Sequence, residues 1–313
     1  MNRIIFDVGA SNIKFALMTP EGEILKRKKV PTPWTGLDDY LKTFEDLAAD
    51  CLDQADGVGI STNGRMMPDG NTYRAYTADY LTGVDIKKEL EARLHLPVAV
   101  ENDGEAAAIG EWQFGAGRGT NTSITIVLGS GMGAGMVVDG KPWRGVKRNG
   151  SMVFGQLIQS DMTESGYAIS GIETGFMFLL MQAAGAKHMT MEQMTGPYFF
   201  ELAEQGDPVI LALLENFCKA VAFTIFNNAM MLDPDMVIVT GGLAEQPILI
   251  QKLHEAMQKV LMGCMSFTGF DLSQMSGVGM DMSDFMIDFV KGELCLDANL
   301  YGALYCINQL LEK

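Results

Sequence analysis

Several features that mark common classes of protein are missing from this chain of 313 residues. Its five cysteines form no C-x-x-C pair, and their number is odd: Cys51, Cys218, Cys264, Cys295 and Cys306. This pattern argues against a disulfide framework and favours a reduced, cytosolic protein. The chain begins with a strand-like RIIFDVG where a signal peptide would need a longer apolar run, and no uncharged apolar segment reaches about 18 residues. We therefore expect a cytoplasmic protein that spans no membrane.

Positive charge is also scarce. The chain has 23 lysines and arginines against 39 aspartates and glutamates, which gives a formal net charge of -16. Its single short basic run is KRKK at residues 26–29. A field of this sign repels phosphate backbones, so we expect no nucleic-acid partner.

The two common nucleotide-binding fingerprints are absent, but two similar segments are present. No G-x-x-x-x-G-K-[ST] occurs, and GSGMGAG joins two expected strands where the dinucleotide fingerprint would open a helix. RIIFDVGASNIKFALMTPEGEIL from Arg3 and SITIVLGSGMGAGMVVDGKPW from Ser123 each predict a strand, a small-residue turn, a second strand and a glycine turn. This repeat predicts two duplicated α/β lobes with a cleft between them.

The segment GAGRGTNTS at residues 115–123 is the expected boundary between the lobes, because three glycines and polar residues interrupt the apolar pattern there. The N-terminal lobe is then residues 1–114, with the amphipathic helix of about 298–313 packing back on it. The C-terminal lobe is residues 115–297.

The two small-residue turns are candidate phosphate sites. Asp7 precedes Gly9, Ala10 and Ser11, and the second turn contains Gly129, Ser130, Gly131 and Gly133. Small residues let a phosphate approach the backbone, and amides arranged in a turn form an anion-binding concavity. Asp7 beside such phosphates is placed to orient a hydrated Mg²⁺. The alternative is a pair of ordinary glycine hairpins with Asp7 as a buried acceptor.

The stretch PVAVENDGEAAA at residues 97–108 predicts a short strand followed by a helix, with Asp103 near the junction. A carboxylate at this point can cap the helix by accepting amide hydrogens of the first turn. Ligands of α/β sheets also gather at the carboxyl ends of strands. The local sequence leaves both roles open.

Six segments together resemble the ROK family of bacterial sugar kinases. They are DVGASNIKFAL, VGISTNGRMMPDG, VAVENDGEAAAIGE, LGSGMGAGMVVDG, VIVTGGLAEQP and DANLYGAL, in the family's order and over nearly the whole chain. The resemblance implies an α/β fold of the actin-like, hexokinase-like (ribonuclease H-like) class with two duplicated lobes. It also implies ATP and Mg²⁺ as cofactors, a small-molecule sugar as substrate, and assembly as a homodimer or higher homo-oligomer.

The resemblance also assigns roles to residues. Asp103 corresponds to the family's general base, which takes the proton of the sugar hydroxyl that attacks the γ-phosphoryl group. The other positions that match sugar contacts are Asn102, Asn63, Gly64 and Gln156. The expected nucleotide-binding residues are Asp7, Gly9, Ala10, Ser11, Asn12, Lys14, Gly129, Ser130, Gly131, Gly133, Gly241 and Gly242, with Asp7 also holding Mg²⁺ through water.

Several positions depart from the family's pattern. In the G-E-x-G-H motif, whose glutamate and histidine contact the sugar near C1 and C2, this chain has Val153 and Gln156. The cysteine-rich zinc loop corresponds to MTESGYAISGIETG, which has no cysteine, so we expect no zinc site. The glutamate that follows that loop corresponds to either Glu164 or Glu173. Glu105 replaces an asparagine and adds negative charge beside the base.

These observations predict an ATP-dependent sugar kinase that acts on O6 of a hexose or a β-glucoside, since GPYFFELAEQGDPVILALLENF resembles the β-glucoside kinase branch. The altered sugar motif leaves two alternatives. One is an ordinary glucokinase or N-acetylhexosamine kinase, and the other is a catalytically silent sugar sensor.

Overall fold

The computed structural model describes residues 1–66, 73–74, 79–147, 153–159, 166–267, 270–271 and 287–313. Its strands are β1 (Asn2–Val8), β2 (Asn12–Met18), β3 (Ile24–Pro31), β4 (Ala55–Thr62), β5 (Arg65–Met66), β6 (Tyr73–Arg74), β7 (Val98–Asn102), β8 (Ser123–Leu128), β9 (Met132–Val138), β10 (Lys141–Pro142), β11 (Leu157–Gln159), β12 (Tyr167–Ile169), β13 (Met236–Thr240), β14 (Ser266–Phe267), β15 (Phe270–Asp271) and β16 (Val290–Lys291). The α-helices are α1 (Leu37–Ala48), α2 (Ile86–Leu94), α3 (Asp103–Phe114), α4 (Ser170–Glu173), α5 (Phe176–Ala186), α6 (Gly196–Glu204), α7 (Pro208–Leu232), α8 (Pro247–Met265) and α9 (Ala298–Leu311).

Two five-stranded sheets share one strand pattern. The first has the order β3-β2-β1-β4-β7, and the second has the order β10-β9-β8-β13-β16. In the first, β1 pairs antiparallel with β2 and parallel with β4, and β4 pairs parallel with β7. Each sheet therefore begins with a three-stranded meander and adds two later strands beside its first strand. The repeat predicted from the sequence is confirmed at the level of topology.

The chain divides into two compact units. One consists of Met1–Thr125, Ala134–Ser151 and Gly292–Lys313, and the other of Ile126–Gly133 and Met152–Lys291. Helix α9 belongs to the first unit. The lobe boundary at residues 114 and 115 stays a prediction.

The first sheet is covered on both faces, and its central strands are mostly apolar. Ile4, Phe6 and Val8 of β1 join the core that contains α1 and α2, whereas Ile5 joins the core formed by α9. Successive side chains of a strand point to opposite faces, so one continuous apolar run serves both cores. Asp7 follows this alternation and lies on the α9 side, where Lys14 bonds both to it and to the carbonyl of Leu296.

Helix α7 is the one described helix with the length and apolar composition of a membrane span. Half of its most apolar stretch is buried, and it packs on α4, α5, α6 and α8. It starts with Asp207 as the N-cap and Pro208 at the first position, both of which favour the beginning of a helix. These contacts are those of a core helix in a globular unit.

Helices α3 and α9 lie in backbone contact. A Cβ on Gly302 of α9 would lie 1.7 Å from the carbonyl oxygen of Ala106, so only glycine permits this approach. The ends of the two helices are joined by Glu111, which is fully buried. Its carboxylate accepts hydrogen bonds from the backbone N–H groups of four residues: Ala116, Glu293, Leu294 and Cys295.

Replacement of Glu111 by Gln should destabilise the first unit. The amide keeps one acceptor oxygen but turns an NH₂ group toward backbone donors, and hydrogen bonds to a buried charged group contribute about 1.5–3 kcal/mol each. We expect Glu111→Gln to lower the free energy of unfolding by about 3 kcal/mol in urea titrations. Glu312→Gln, at an exposed position of the same unit, is the control and should change it by less than about 0.5 kcal/mol. Equal effects of the two variants would contradict the assigned role of Glu111.

Candidate active site

The carboxyl ends of β1, β4 and β7 lie at one edge of the first sheet. The register pairs Asp7 with Ser61, and Thr62 with Asn102. The turn after β1, the residues Asn63 and Gly64 after β4, and Asp103 after β7 therefore share this edge. Ligands of open α/β sheets bind at such edges, and all the site residues predicted in the first unit meet here.

Asn102, and not Asp103, is the N-cap of α3. Its Oδ1 accepts a hydrogen bond from Glu105 N at 3.2 Å, and its Nδ2 donates to Gly64 O at 2.8 Å and to Asp103 Oδ1 at 3.0 Å. The capping role that the sequence left open for Asp103 is thus filled by its neighbour. The amide of Asn102 ties the β4 turn, the start of α3 and the Asp103 carboxyl together.

Asp103 is the first residue of α3 and is partly buried. Burial raises the pKa of its carboxyl to about 6, and the negative charge of Asp7 acts in the same direction, while the hydrogen bonds from Gly104 N and Asn102 lower it. A carboxyl with this pKa is a stronger base than an ordinary aspartate and is still ionised at neutral pH. The position therefore suits a general base.

The β1–β2 turn is held by short hydrogen bonds. Gly9 N donates to Asn12 O at 3.0 Å, and Thr32 Oγ1 donates to Gly9 O at 2.8 Å. Ala10 and Ser11 at its tip are partly or fully exposed. The nearby Asp7 carboxylate, 7% exposed, is paired with Lys14 Nζ at 2.9 Å. Asp7 and Lys14, which were both predicted to contact the nucleotide, are therefore in contact with each other.

In the second unit, the β8–β9 turn is closed by Gly129 N donating to Gly131 O at 2.9 Å. Ser130 O accepts from Met177 N in the first turn of α5 at 3.2 Å. Gly131 is exposed and outside the left-handed region, and no atom lies within 4 Å of where its Cβ would be. The fold of this unit therefore does not require glycine at position 131.

Gly241 and Gly242 follow β13, and Gly242 opens a 3₁₀ turn. Gly241 has a φ of 94°, and its Cβ would lie 2.5 Å from Leu128 O. Gly241 is therefore required by the fold of the second unit, in contrast to Gly131. Gly133 lies within β9 and is partly buried.

A family model of ROK proteins matches residues 3–276 of this chain. The chain belongs to the ROK family. Its curated relatives include the N-acetyl-D-glucosamine kinase of Citrobacter koseri, 26% identical over 280 residues (82% of this chain, 89% of the relative), and the β-glucoside kinase of Listeria monocytogenes, 25% identical over 260 residues (81% and 86%).

A solved ROK family glucokinase from Streptomyces griseus, in complex with glucose and AMPPNP, matches the fold with a TM-score of 0.81. The two chains are 23% identical, and the match covers 99% of this chain and 100% of the glucokinase. The predicted family and the actin-like, hexokinase-like α/β fold are confirmed. The names of the curated relatives agree with the predicted class of enzyme, a carbohydrate kinase.

Val153 and Gln156, the positions that the sequence matched to the family's sugar motif, lie in the second unit. Val153 is 2% exposed, and its carbonyl accepts a hydrogen bond from Ser170 Oγ at 2.7 Å. The side-chain amides of Gln156 and Asn228 bond reciprocally, at 2.8 and 3.0 Å. At these two positions the chain therefore has one apolar side chain, Val153, and one amide, Gln156, whose orientation is fixed by Asn228 of α7. Sequence reasoning missed Asn228, which lies 72 positions from Gln156 along the chain.

Of the two glutamates that the sequence could not separate, Glu173 ends α4 and is partly buried, while Glu164 lies outside the described residues. The loop that replaces the zinc loop is only partly described, so the expected lack of zinc stays a prediction. Asn63 and Gly64 are placed by the hydrogen bond between Gly64 O and Asn102.

An arginine that sequence reasoning missed neutralises the carboxylates around the ROK family's END motif. Arg144, in the loop after β10, donates from Nε to Glu101 Oε2 at 2.8 Å and approaches Glu105 Oε2 at 3.4 Å. Burial lowers the pKa of Arg144, but the negative groups around it, chiefly Glu101, raise it overall. The extra charge of Glu105 is therefore paired within the first unit.

Proposed function

We propose that this ROK protein is an ATP-dependent sugar kinase with Asp103 as its general base. The observation that carries the proposal is the placement of Asp103: a carboxyl with its pKa raised to about 6 stands at the sheet edge, oriented by Asn102. In the reaction, the carboxylate takes the proton of a sugar hydroxyl as that oxygen bonds to the γ-phosphorus and ADP leaves. Phosphoryl transfer otherwise asks the protein for positioning and charge stabilisation.

The nucleotide side of the proposal rests on the two glycine turns. Gly131 leaves open space where a side chain would stand, and the amides of such a turn suit phosphate oxygens. Lys14 adds a positive charge beside the β1–β2 turn. Lys14 contacts one carboxylate oxygen of Asp7. The other oxygen could accept a hydrogen bond from a water molecule that is bound to Mg²⁺. When bound, Mg²⁺ would neutralise charge on the β- and γ-phosphates.

For the acceptor, we propose O6 of a β-glucoside or β-linked disaccharide in preference to free glucose. Val153 can satisfy no hydroxyl, and the amide of Gln156 is committed to Asn228. A hydroxyl buried without a partner costs about 1–3 kcal/mol. A glycoside has its anomeric oxygen already substituted, so it loses less at this position. The similarity to a β-glucoside kinase supports the same choice.

Asp103→Asn keeps the shape of the side chain and removes the proton acceptor. We expect kcat to fall about 10²- to 10⁴-fold, the range of general-base catalysis, with the unfolding midpoint unchanged. In the unaltered enzyme the base is lost as pH falls through its raised pKa of about 6, so kcat/KM should rise with pH through that value and level off above it. Near-normal turnover of a folded Asp103→Asn protein would refute the assignment.

Gly131→Val should interfere with ATP without harming the fold. The added side chain enters the space proposed for phosphate, and we expect KM for ATP to rise about 10- to 100-fold, equivalent to about 1.4–2.8 kcal/mol. KM for the sugar and the urea midpoint should stay unchanged. Gly241→Val is the contrasting variant, because its Cβ meets backbone, and it should lower the urea midpoint. An equal loss of affinity for ATP and sugar in Gly131→Val would count against the phosphate site.

The choice of acceptor is decided by comparing kcat/KM for glucose, N-acetylglucosamine, methyl β-glucoside and cellobiose in a coupled assay of ADP release. We expect the two β-glucosides to exceed glucose by about 5- to 150-fold, the discrimination that one unpaired hydroxyl supplies. Val153→Glu with Gln156→His should improve glucose selectively. A clear preference of the unaltered enzyme for glucose or N-acetylglucosamine would overturn the glycoside proposal. No turnover of any sugar would favour a silent sensor.

A further inference from the structure

Two buried carboxylates and a partly exposed arginine of the first unit flank the Asn102–Asp103 pair. Glu101 is 3% exposed and Glu105 is 6% exposed. Arg144 reaches both: its Nε donates to Glu101 Oε2 at 2.8 Å, its Nη2 forms a second bond to the same oxygen, and Nε lies 3.4 Å from Glu105 Oε2. One guanidinium thus serves the carboxylates on both sides of the pair.

The balance of charge in this cluster depends on Arg144. A carboxylate taken out of water is tolerated when a charged partner and hydrogen bonds compensate it, and removal of one partner leaves an uncompensated buried charge. The planar guanidinium can serve two acceptors at once, which an ammonium group does less well. Without Arg144, the buried carboxylates of Glu101 and Glu105 would lose its compensating charge. Each belongs to a residue two positions from Asp103, which carries a negative charge itself when ionised.

Hydrogen bonds connect the cluster to Asp103. Glu101 Oε1 accepts from Asn102 N at 3.1 Å, and Glu105 N donates to Asn102 Oδ1 at 3.2 Å. Asn102 Nδ2 in turn donates to Asp103 Oδ1 at 3.0 Å. Each carboxylate that Arg144 holds therefore belongs to a residue bonded to Asn102, and Asn102 orients the base.

We propose that Arg144 is a positioning residue for Asp103, and that Glu105 and Arg144 act as a matched pair: Arg144 compensates the carboxylates of Glu101 and Glu105 and so fixes the Asn102–Asp103 junction. The inference rests on the proposed kinase function. Arg144 acts through its neighbours and touches no reacting atom. The pairing also accounts for a carboxylate at position 105, where the resemblance calls for asparagine.

The test is a set of variants assayed for kcat, KM for sugar and KM for ATP. Arg144→Met should lower kcat about 100-fold, the loss that a displacement of about 1 Å at the reacting groups produces, with KM for ATP within about twofold of normal. Glu105→Gln alone should stay within about threefold. In Arg144→Met with Glu105→Gln, removal of the negative charge that Arg144 compensates should restore kcat to within about tenfold of normal. A purely structural role would not give this recovery.

Arg118→Met is the matched control, because Arg118 pairs with Glu293 at 2.9 Å with both side chains 55% exposed and has no contact with the cluster. It should keep kcat within about twofold. If Arg144→Met does not fold, Arg144→Lys replaces it, with an expected tenfold loss of kcat that Glu105→Gln again relieves.

Two results overturn the inference alone: a kcat of Arg144→Met within about threefold of normal, or a double variant no better than the single one. Absence of sugar phosphorylation by the unaltered protein would overturn the proposed function and this inference with it. The two failures are therefore distinguishable.

Discussion

Backbone contact between α3 and α9 is the constraint on which the active-site edge depends. Gly302 has no side chain where the carbonyl of Ala106 approaches, and α9 also packs on β1, β4 and β7, the three strands that end at the site. Glu111 fixes the far end of α3 through four backbone amides. Because the helix is held at both its side and its end, its first residue, Asp103, is held relative to the strands.

The glycines of the chain divide into those that the fold needs and those that it does not. Gly302 and Gly241 each place a would-be Cβ on backbone atoms, so packing or conformation accounts for them. At Gly131, no atom lies within 4 Å of where a Cβ would be, and the backbone is outside the left-handed region. Sequence alone treats the three alike, since a motif does not reveal what surrounds the backbone. The distinction matters for Gly131→Val, because the fold tolerates a side chain at that position and a loss of ATP affinity could then be attributed to the ligand site.

The sequence predicted the elements of the site well and their mutual contacts poorly. Strand ends, the start of α7 at Pro208 and the duplicated sheet pattern follow from local periodicity and turn residues, which are short-range signals. The same short range left the capping role of Asp103 open, because Asn102 and Asp103 are both good caps and local sequence does not decide which of them caps α3. Arg144 with Glu101, and Gln156 with Asn228, are 43 and 72 positions apart. Such pairs depend on tertiary packing, which no local pattern encodes.

The acidic side chains around Asp103 have cationic partners, whereas Asp103 itself is bonded to neutral groups. Lys14 pairs with Asp7, and Arg144 pairs with Glu101 and Glu105, so three of the four acidic groups at this edge have a cationic partner. Asp103 receives hydrogen bonds from neutral groups, Gly104 N and Asn102 Nδ2. With burial as the main cause, its pKa rises to about 6.

At pH 7 the ionised form of Asp103 then exceeds the protonated form by about ten to one, while the carboxylate binds a proton about 100-fold more strongly than an ordinary aspartate. A cation placed directly on Asp103 would lower its pKa and weaken it as a base. Lys14 and Arg144 instead pair with Asp7, Glu101 and Glu105, which limits the negative charge at this edge and leaves the basicity of Asp103 intact.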